Sequence, residues 1–199
     1  MSYQYQDHYF ERAKKEHFLA RAVYKLQEIQ NKHRLMRKGD RVLDLGAAPG
    51  SWMQFTQTVI GPSGHLLGVD LQPIEHNFAA WVVTLERDIF DPDLVRMLER
   101  DYAPFNVILS DMAPKTSGIK VADSARSALL VERAMAIAET TLAPGGHLLV
   151  KIFQGSEFHE ILLQLKRLYG KTRVIKPDAS RKNSKEIYIL ALNHRGPAA

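Results

Sequence analysis

Four side chains in this 199-residue chain could run proton-transfer chemistry if the fold brings them together. They are Lys151, Asp111, Lys25 and Glu186. Lys151 lies in Val150-Lys-Ile-Phe-Gln-Gly155, flanked by apolar residues where a strand is expected to end. An isolated buried lysine is expensive, because desolvation disfavours its ammonium form. The alternatives are a structural salt bridge with Asp111 and a lysine tuned to lose its proton. Asp111 lies in Ser110-Asp-Met-Ala-Pro114, directly before a proline-terminated loop at another strand end. Lys25, in a basic helix, and Glu186, opening the last strand, are candidate partners. A snorkelling helix lysine and a surface glutamate of an edge strand are their plainer readings. Neighbouring cations and burial lower a lysine's pKa, whereas carboxylates raise it and hold the geometry.

The segment Val42-Leu-Asp-Leu-Gly-Ala-Ala-Pro-Gly-Ser-Trp52 points to a cofactor. Gly46 and Gly50 let the backbone turn tightly and approach a ligand with no Cβ in the way. A dinucleotide fingerprint would read Gly-x-Gly-x-x-Gly before a helix whose N-terminus faces pyrophosphate. Here the spacing differs, and Pro49 removes an N–H that a phosphate cradle would use. The loop suits a nucleoside with an amino-acid tail, such as S-adenosyl-L-methionine. Gly46, Ala47, Pro49, Gly50, Ser51 and Trp52 are its candidate contacts, with core packing the alternative for Trp52. Asp70, followed by Leu71, would take the ribose hydroxyls, as an acid does for NAD. Asp88, followed by Ile89 and Phe90, would accept from the adenine amino group.

These residues need a scaffold that gathers strand ends. Phe18, Ala22, Leu26 and Ile29 have helical spacing and predict one basic helix over 10–34. Strands are expected over 41–45, 65–69, 82–85, 105–109 and 147–150, and helices over 51–60, 91–100, 124–142 and 156–169. Ser51 is the expected N-cap of the first of these helices, and Pro92 opens the second. Pro144-Gly145-Gly146 is expected to stop the third. The runs 172–175 and 186–192 lie about ten residues apart, which suits an antiparallel pair rather than a crossover. Strand–helix alternation predicts an α/β fold, a mostly parallel sheet with helices on both faces and an antiparallel last strand. Ligands of such sheets bind beyond the strands' carboxyl ends. Asp44, Asp70, Asp88, Asp111 and Lys151 fall at or near five strand ends, converging on one rim.

Composition narrows the class. The chain has no cysteine, which excludes a disulfide framework, a thiolate metal site and a cysteine nucleophile. The N-terminus is polar and charged, unlike a secretory signal, and no apolar run approaches the roughly 18 residues that span a bilayer. A soluble, cytoplasmic, monomeric protein without metal is expected. Charge is uneven: residues 1–38 carry nine basic and four acidic side chains, 39–165 nine and sixteen, and 166–185 eight and one. Two basic ends flank an acidic middle. Solvated helix faces are one reading; a polyanion surface, made continuous if the ends meet, is the other.

Five segments, in order, resemble the FtsJ/RrmJ family of ribose 2′-O-methyltransferases, the bacterial large-subunit rRNA methyltransferases. They are Arg21-Ala-Val-Tyr-Lys-Leu26, Asp44-Leu-Gly-Ala-Ala-Pro-Gly50, Ser110-Asp-Met-Ala-Pro114, Val150-Lys-Ile-Phe-Gln-Gly155, and Lys176-Pro-Asp-Ala-Ser-Arg181 running into Ser184-Lys-Glu-Ile-Tyr188. The resemblance implies a Rossmann-like, S-adenosylmethionine-dependent methyltransferase fold with a seven-stranded sheet. The resemblance runs from about Arg21 to Leu190, and a single domain is expected over 1–199, with a basic helical extension at 1–38, a core at 39–193 and a flexible tail at 194–199. The family's Lys-Asp-Lys-Glu tetrad falls on Lys25, Asp111, Lys151 and Glu186, and its cofactor contacts on Gly50, Trp52, Asp70, Asp88 and Asp111. Ser51, Val23 and Lys115 stand where the family often has Gly, Trp and Asn, and none of these touches the tetrad.

The reaction so implied is in-line transfer of the sulfonium methyl to a ribose 2′-hydroxyl, with Lys151 as base. Lys25 would depress its pKa by like-charge repulsion, and Asp111 would orient it. The implied substrate is a uridine in 23S rRNA, within an assembled 50S particle. Lys14, Lys15, Arg21, Arg181, Lys182 and Lys185 are the expected phosphate contacts. Tyr24 is a candidate to stack on a base, with packing its alternative. Rival readings are a relative acting on tRNA or an mRNA cap, a non-catalytic ribosome-assembly factor, and a nicotinamide-dependent dehydrogenase. The last lacks the third fingerprint glycine.

Overall fold

The computed structural model describes residues 8–181 and 184–196. In chain order these form α1 (His8–Lys15), α2 (Val23–His33), β1 (Arg41–Leu45), α3 (Ser51–Ile60), β2 (His65–Asp70), β3 (Val82–Glu86), α4 (Leu94–Asp101), β4 (Phe105–Ser110), α5 (Lys120–Thr141), β5 (Leu142–Phe153), α6 (Phe158–Leu168), β6 (Tyr169–Ile175) and β7 (Glu186–His194). The strands make one seven-stranded sheet in the order β3-β2-β1-β4-β5-β7-β6. β3, β2, β1, β4 and β5 run parallel, and β7 is antiparallel to both of its neighbours. The expected β6–β7 pair forms, and β7 slots between β5 and β6 rather than lying at the edge.

Successive side chains of the central strands feed opposite faces, as the pleat requires. Leu43, Ile108, Leu148, Val150 and Ile189 pack under α4, α5 and α6. Val42, Val107, Leu109, Leu149 and Leu190 pack under α2 and α3, with Met53 and Trp52. Helices therefore cover both faces, which is why these strands read as continuous apolar runs. The strand order reverses between β1 and β4. Ligands of open α/β sheets bind at such a switch point, beyond the carboxyl ends. Among the described residues no helix is long and apolar enough to cross a membrane.

Several boundaries differ from the sequence reading. The helix expected over 10–34 is two, α1 and α2, because the chain turns at His17, whose φ is 60°. Tyr24 then packs on Tyr9 and Phe18, so α1 folds back against α2. Ser51 is the first residue of α3; the cap position belongs to Gly50. α4 starts at Leu94, after Pro92. α5 begins four residues before Ser124, and pairing of β5 starts at Leu142 immediately after it ends. Pro144-Gly145-Gly146 then forms an irregularity inside β5, where the register with β4 shifts. The tail expected from 194 onward is ordered at its start: His194 is buried in β7, and the Arg195 N–H donates to the Leu168 carbonyl at 2.9 Å.

Candidate active site

β1 delivers the chain into a turn at the switch point. Gly46 and Gly50 have φ of 75° and 108°, a region costly for any residue with a Cβ. A Cβ on Gly46 would lie 2.3 Å from Met112 Cγ, so the turn packs directly on the loop after β4. The N–H groups of Gly46 and Ala47 both donate to the Val69 carbonyl, at 2.8 and 3.3 Å, tying the turn to the end of β2. There Asp70 accepts from the N–H groups of Ala48 and Gln72, each at 2.9 Å. Its carboxylate is thereby fixed beside the glycine turn, with lone pairs to spare. Asp88 is exposed and accepts from the Phe90 N–H at 2.9 Å. Leu71 and Pro49 are exposed, while Ala47, Ser51 and Ile89 are buried. Trp52 turns inward. Its indole N–H donates to the Ala22 carbonyl at 2.9 Å and its ring lies 5.9 Å from that of Tyr188, so it joins α3 to α2 as core.

Asp44 is not a rim residue. It is 1% exposed, and neither carboxylate oxygen has a hydrogen-bond partner among the described residues. Burial, and then the charges of Asp111 and Asp70, raise its pKa well above the ordinary carboxylate value. Three acids thus flank the turn: Asp70, Asp88 and Asp111. That set fits a ligand bearing positive charge and hydroxyl donors and disfavours pyrophosphate.

The four proton-transfer candidates come together from α2, the end of β4, β5 and β7. Lys151 is 6% exposed and Lys25 8%. Lys151 Nζ donates to the Asp111 carbonyl at 2.5 Å and lies 3.1 Å from Asp111 Oδ1 and 3.8 Å from Glu186 Oε1. Lys25 Nζ donates to the other Glu186 oxygen at 3.0 Å. Glu186 therefore bridges the two lysines. Burial by itself would push its carboxyl up, but Lys25 and Lys151 outweigh burial and hold it below its ordinary range.

Tyr188 completes the cluster and escaped the sequence reading. Lys151 is its direct cross-strand partner in the β5–β7 ladder. Its hydroxyl donates to Asp111 Oδ1 at 2.5 Å, and Lys25 Nζ lies 5.8 Å from its ring centroid. The signal was available: Tyr188 stands two residues after Glu186 in one strand, so both face the same way.

The two basic ends meet in space along α2. Glu28 accepts from the N–H groups of Asp178 and Ala179, at 2.7 and 3.4 Å, and the Arg21 guanidinium donates to the Ala179 carbonyl at 2.6 Å. Further along α2, burial and then Arg173, Lys32 and Lys171 hold His33 below its ordinary pKa, which sets β6 beside the same helix. Lys14, Lys15, Arg181 and Lys185 are exposed. Lys182 lies outside the described residues. Tyr24 does not serve as a stacking platform: it is 4% exposed, donates to Glu16 Oε2 at 3.0 Å and packs between Tyr9 and Phe18.

Sheet order, antiparallel β7 and the glycine turn at the switch point define a protein of the Rossmann-like methyltransferase class. Residues 18–194 match the model of the FtsJ-like methyltransferase family, and the chain belongs to that family. It is 59% identical to a Ribosomal RNA large subunit methyltransferase E of Syntrophobacter fumaroxidans over 98% of this chain and 99% of that one. It is 43% identical to a protein of the same name from an Anaeromyxobacter species, over 99% of this chain and 72% of that one. Its fold matches the crystal structure of a ribosomal RNA methyltransferase from Plasmodium falciparum with a TM-score of 0.76 and 26% identity, over 90% of this chain and 100% of that chain.

Proposed function

We propose that this chain transfers the methyl group of S-adenosylmethionine to a ribose 2′-hydroxyl of RNA, a uridine in the 23S rRNA of the large ribosomal subunit. The observation that carries the reading is the ion-paired run Lys25–Glu186–Lys151–Asp111 beside the glycine turn. The names of the relatives support rRNA as the substrate. The joined basic ends suit the same partner.

Gly46, Ala47, Pro49, Gly50 and Ser51 would line the donor's binding turn, and Trp52 would back it from the core. Asp70 would bind the ribose hydroxyls, and Asp88 with Leu71 and Ile89 the adenine. Bound S-adenosylmethionine supplies an electrophilic methyl whose leaving group needs no metal. What remains for the protein is alignment, proton removal and exclusion of water. Lys151, as the neutral amine, takes the proton of the 2′-hydroxyl while the oxygen attacks. Asp111 orients Lys151 through both its carbonyl and its carboxylate. Lys25 takes the shorter contact with Glu186, so Glu186 acts on Lys151 as a positioning charge. The proposal extends to a cytoplasmic, monomeric enzyme of one domain whose substrate is the assembled 50S particle.

The test is transfer of labelled methyl from S-adenosylmethionine to unmodified large subunits, with naked rRNA and tRNA beside them. Label at one alkali-resistant rRNA linkage, lost with Lys151→Ala, is the expected result. Label on tRNA alone overturns the substrate and keeps the chemistry; donor binding with no transfer to any RNA overturns the activity.

A further inference from the structure

A cavity of about 330 Å³ opens on the side of the tetrad away from the glycine turn. Its floor is the end of β5, Phe153 and Gln154, with Glu186 at the inner corner; its far wall is the loop at 116–118 and the first turn of α5. The strand order explains the placement: the turn lies over β1 and β2, the tetrad over β4, β5 and β7, and the cavity beyond it. A hydroxyl entering through this cavity would reach the turn across the tetrad.

The far wall is built in advance. Asp123 accepts from the N–H and hydroxyl of Ser117 at 2.8 and 2.9 Å and from the Gly118 N–H at 3.2 Å, which fixes the loop on α5. Contact between Gly155 and Ser124 closes the outer corner, since a Cβ on Gly155 would lie 2.4 Å from Ser124 Cβ. Asp123 is wholly engaged and its charge is met by Arg126, 3.9 Å away. Four polar groups of the lining have no such engagement: the Thr116 hydroxyl, the Gln154 carboxamide and the ammonium groups of Lys120 and Lys185 pair with nothing among the described residues. An aromatic floor, a carboxamide able to donate and accept, and two cations together fit one nucleotide: base, hydroxyls and phosphate.

We infer that this cavity receives the acceptor nucleotide of the RNA as a single extruded residue, with its base on Phe153 and Gln154 and its phosphates at Lys120 and Lys185. The inference rests on the function proposed above. At about 330 Å³ the cavity has the size of a small ligand pocket. A base laid on Phe153 has left its helical stack, which is least costly for a nucleotide that is already unpaired. Stacking on an aromatic ring offsets part of that cost.

The experiment compares single-turnover methyl transfer, calorimetric affinity for S-adenosylmethionine and melting temperature in the wild type, Thr116→Trp, and the doubly substituted Lys120→Ala, Gln154→Ala protein. Thr116→Trp fills the cavity from an exposed loop and should lower transfer at least 100-fold while donor affinity and melting are unchanged. The double variant, which adds no bulk, should raise KM for RNA about tenfold with the same donor affinity, and it decides the matter if the tryptophan disturbs folding. Wild-type kcat/KM in a folded Thr116→Trp protein, or in the double variant, overturns the cavity as acceptor site. An inactive wild type overturns the underlying function as well, so the two failures are distinct.

Discussion

The hydroxyl of Tyr188 donates to Asp111 Oδ1 at 2.5 Å, the same oxygen that lies 3.1 Å from Lys151. Burial, then the Asp111 charge, raise the Tyr188 pKa well above its ordinary value, so the phenol remains a donor across the working range. Tyr188 thus pins the carboxylate that pins the lysine. Tyr188→Phe keeps the ring on Trp52 and removes one hydrogen bond to a charged acceptor, worth about 1.5–3 kcal/mol. The expected result in thermal melts is a drop of that size. Methyl transfer should fall far less than on loss of Lys151, because Lys151 still holds Asp111 directly.

Loss of the proposed base should be the larger effect. Lys151→Met retains the stem in its apolar setting and removes the ammonium group. Transfer should fall by about 10²–10⁴-fold, with donor affinity by calorimetry near wild type. Lys25→Met should act through Glu186, which it holds at 3.0 Å, and should cost less. Equal losses for the two variants would contradict the assignment of Lys151 as base and Lys25 as a positioning group.

Much of this site was legible because strand ends announce themselves. Apolar runs that stop at Asp70, Asp111 and Lys151 place those side chains on one rim, whatever the rest of the chain does. Lys25 and Glu186 were readable only as candidate partners, on the basic helix and the last strand, until the family's motifs joined them to the tetrad; α2 and β7 bring them to Lys151 through tertiary packing, which spacing does not show. The break at His17 was hidden for the same reason. Apolar spacing continues through 18–29, and what stops the helix is the packing of Tyr24 on Tyr9 and Phe18. Asp44 misled in the other direction: its position by the strand end was clear, but the pleat that turns it under α3 into the core was not.

That burial makes a stability prediction with a definite sign. The folded-state pKa of Asp44 is raised, so the native protein holds a proton that the unfolded chain releases above the ordinary value of 3.8. Stability from this group is present at low pH and lost as pH climbs from that value towards the folded pKa. Asp44→Asn removes the titration. Its melting temperature in the absence of donor should match the wild type near pH 4 and exceed it at pH 8, by the equivalent of about 1–3 kcal/mol. A constant offset at all pH values would show that the carboxyl finds a partner in solution.

Gly46→Ala tests the turn. The new methyl meets Met112 Cγ at 2.3 Å on a backbone already at φ 75°, so either Met112 or the turn must move. Destabilisation of about 1–3 kcal/mol is expected from overpacking. Donor affinity should fall with it if the turn lines the donor site as proposed.

The joined basic surface predicts a salt dependence. Lys15 and Lys185 come from opposite ends of the chain, and both are exposed. Neither forms an ion pair with an acid among the described residues. If each meets an RNA phosphate, its replacement removes one counterion-release contribution. The slope of log K against log salt should then shrink by about 0.7–0.9 for each lysine, and by about twice that for the double variant. The loss should be nearly independent of RNA sequence, as phosphate contacts position without reading bases. Equilibrium binding of rRNA fragments across a salt series makes the measurement. A Lys185→Ala slope that shrinks while the Lys15→Ala slope does not would confine the RNA footprint to the rim of the cavity and take α1 out of it.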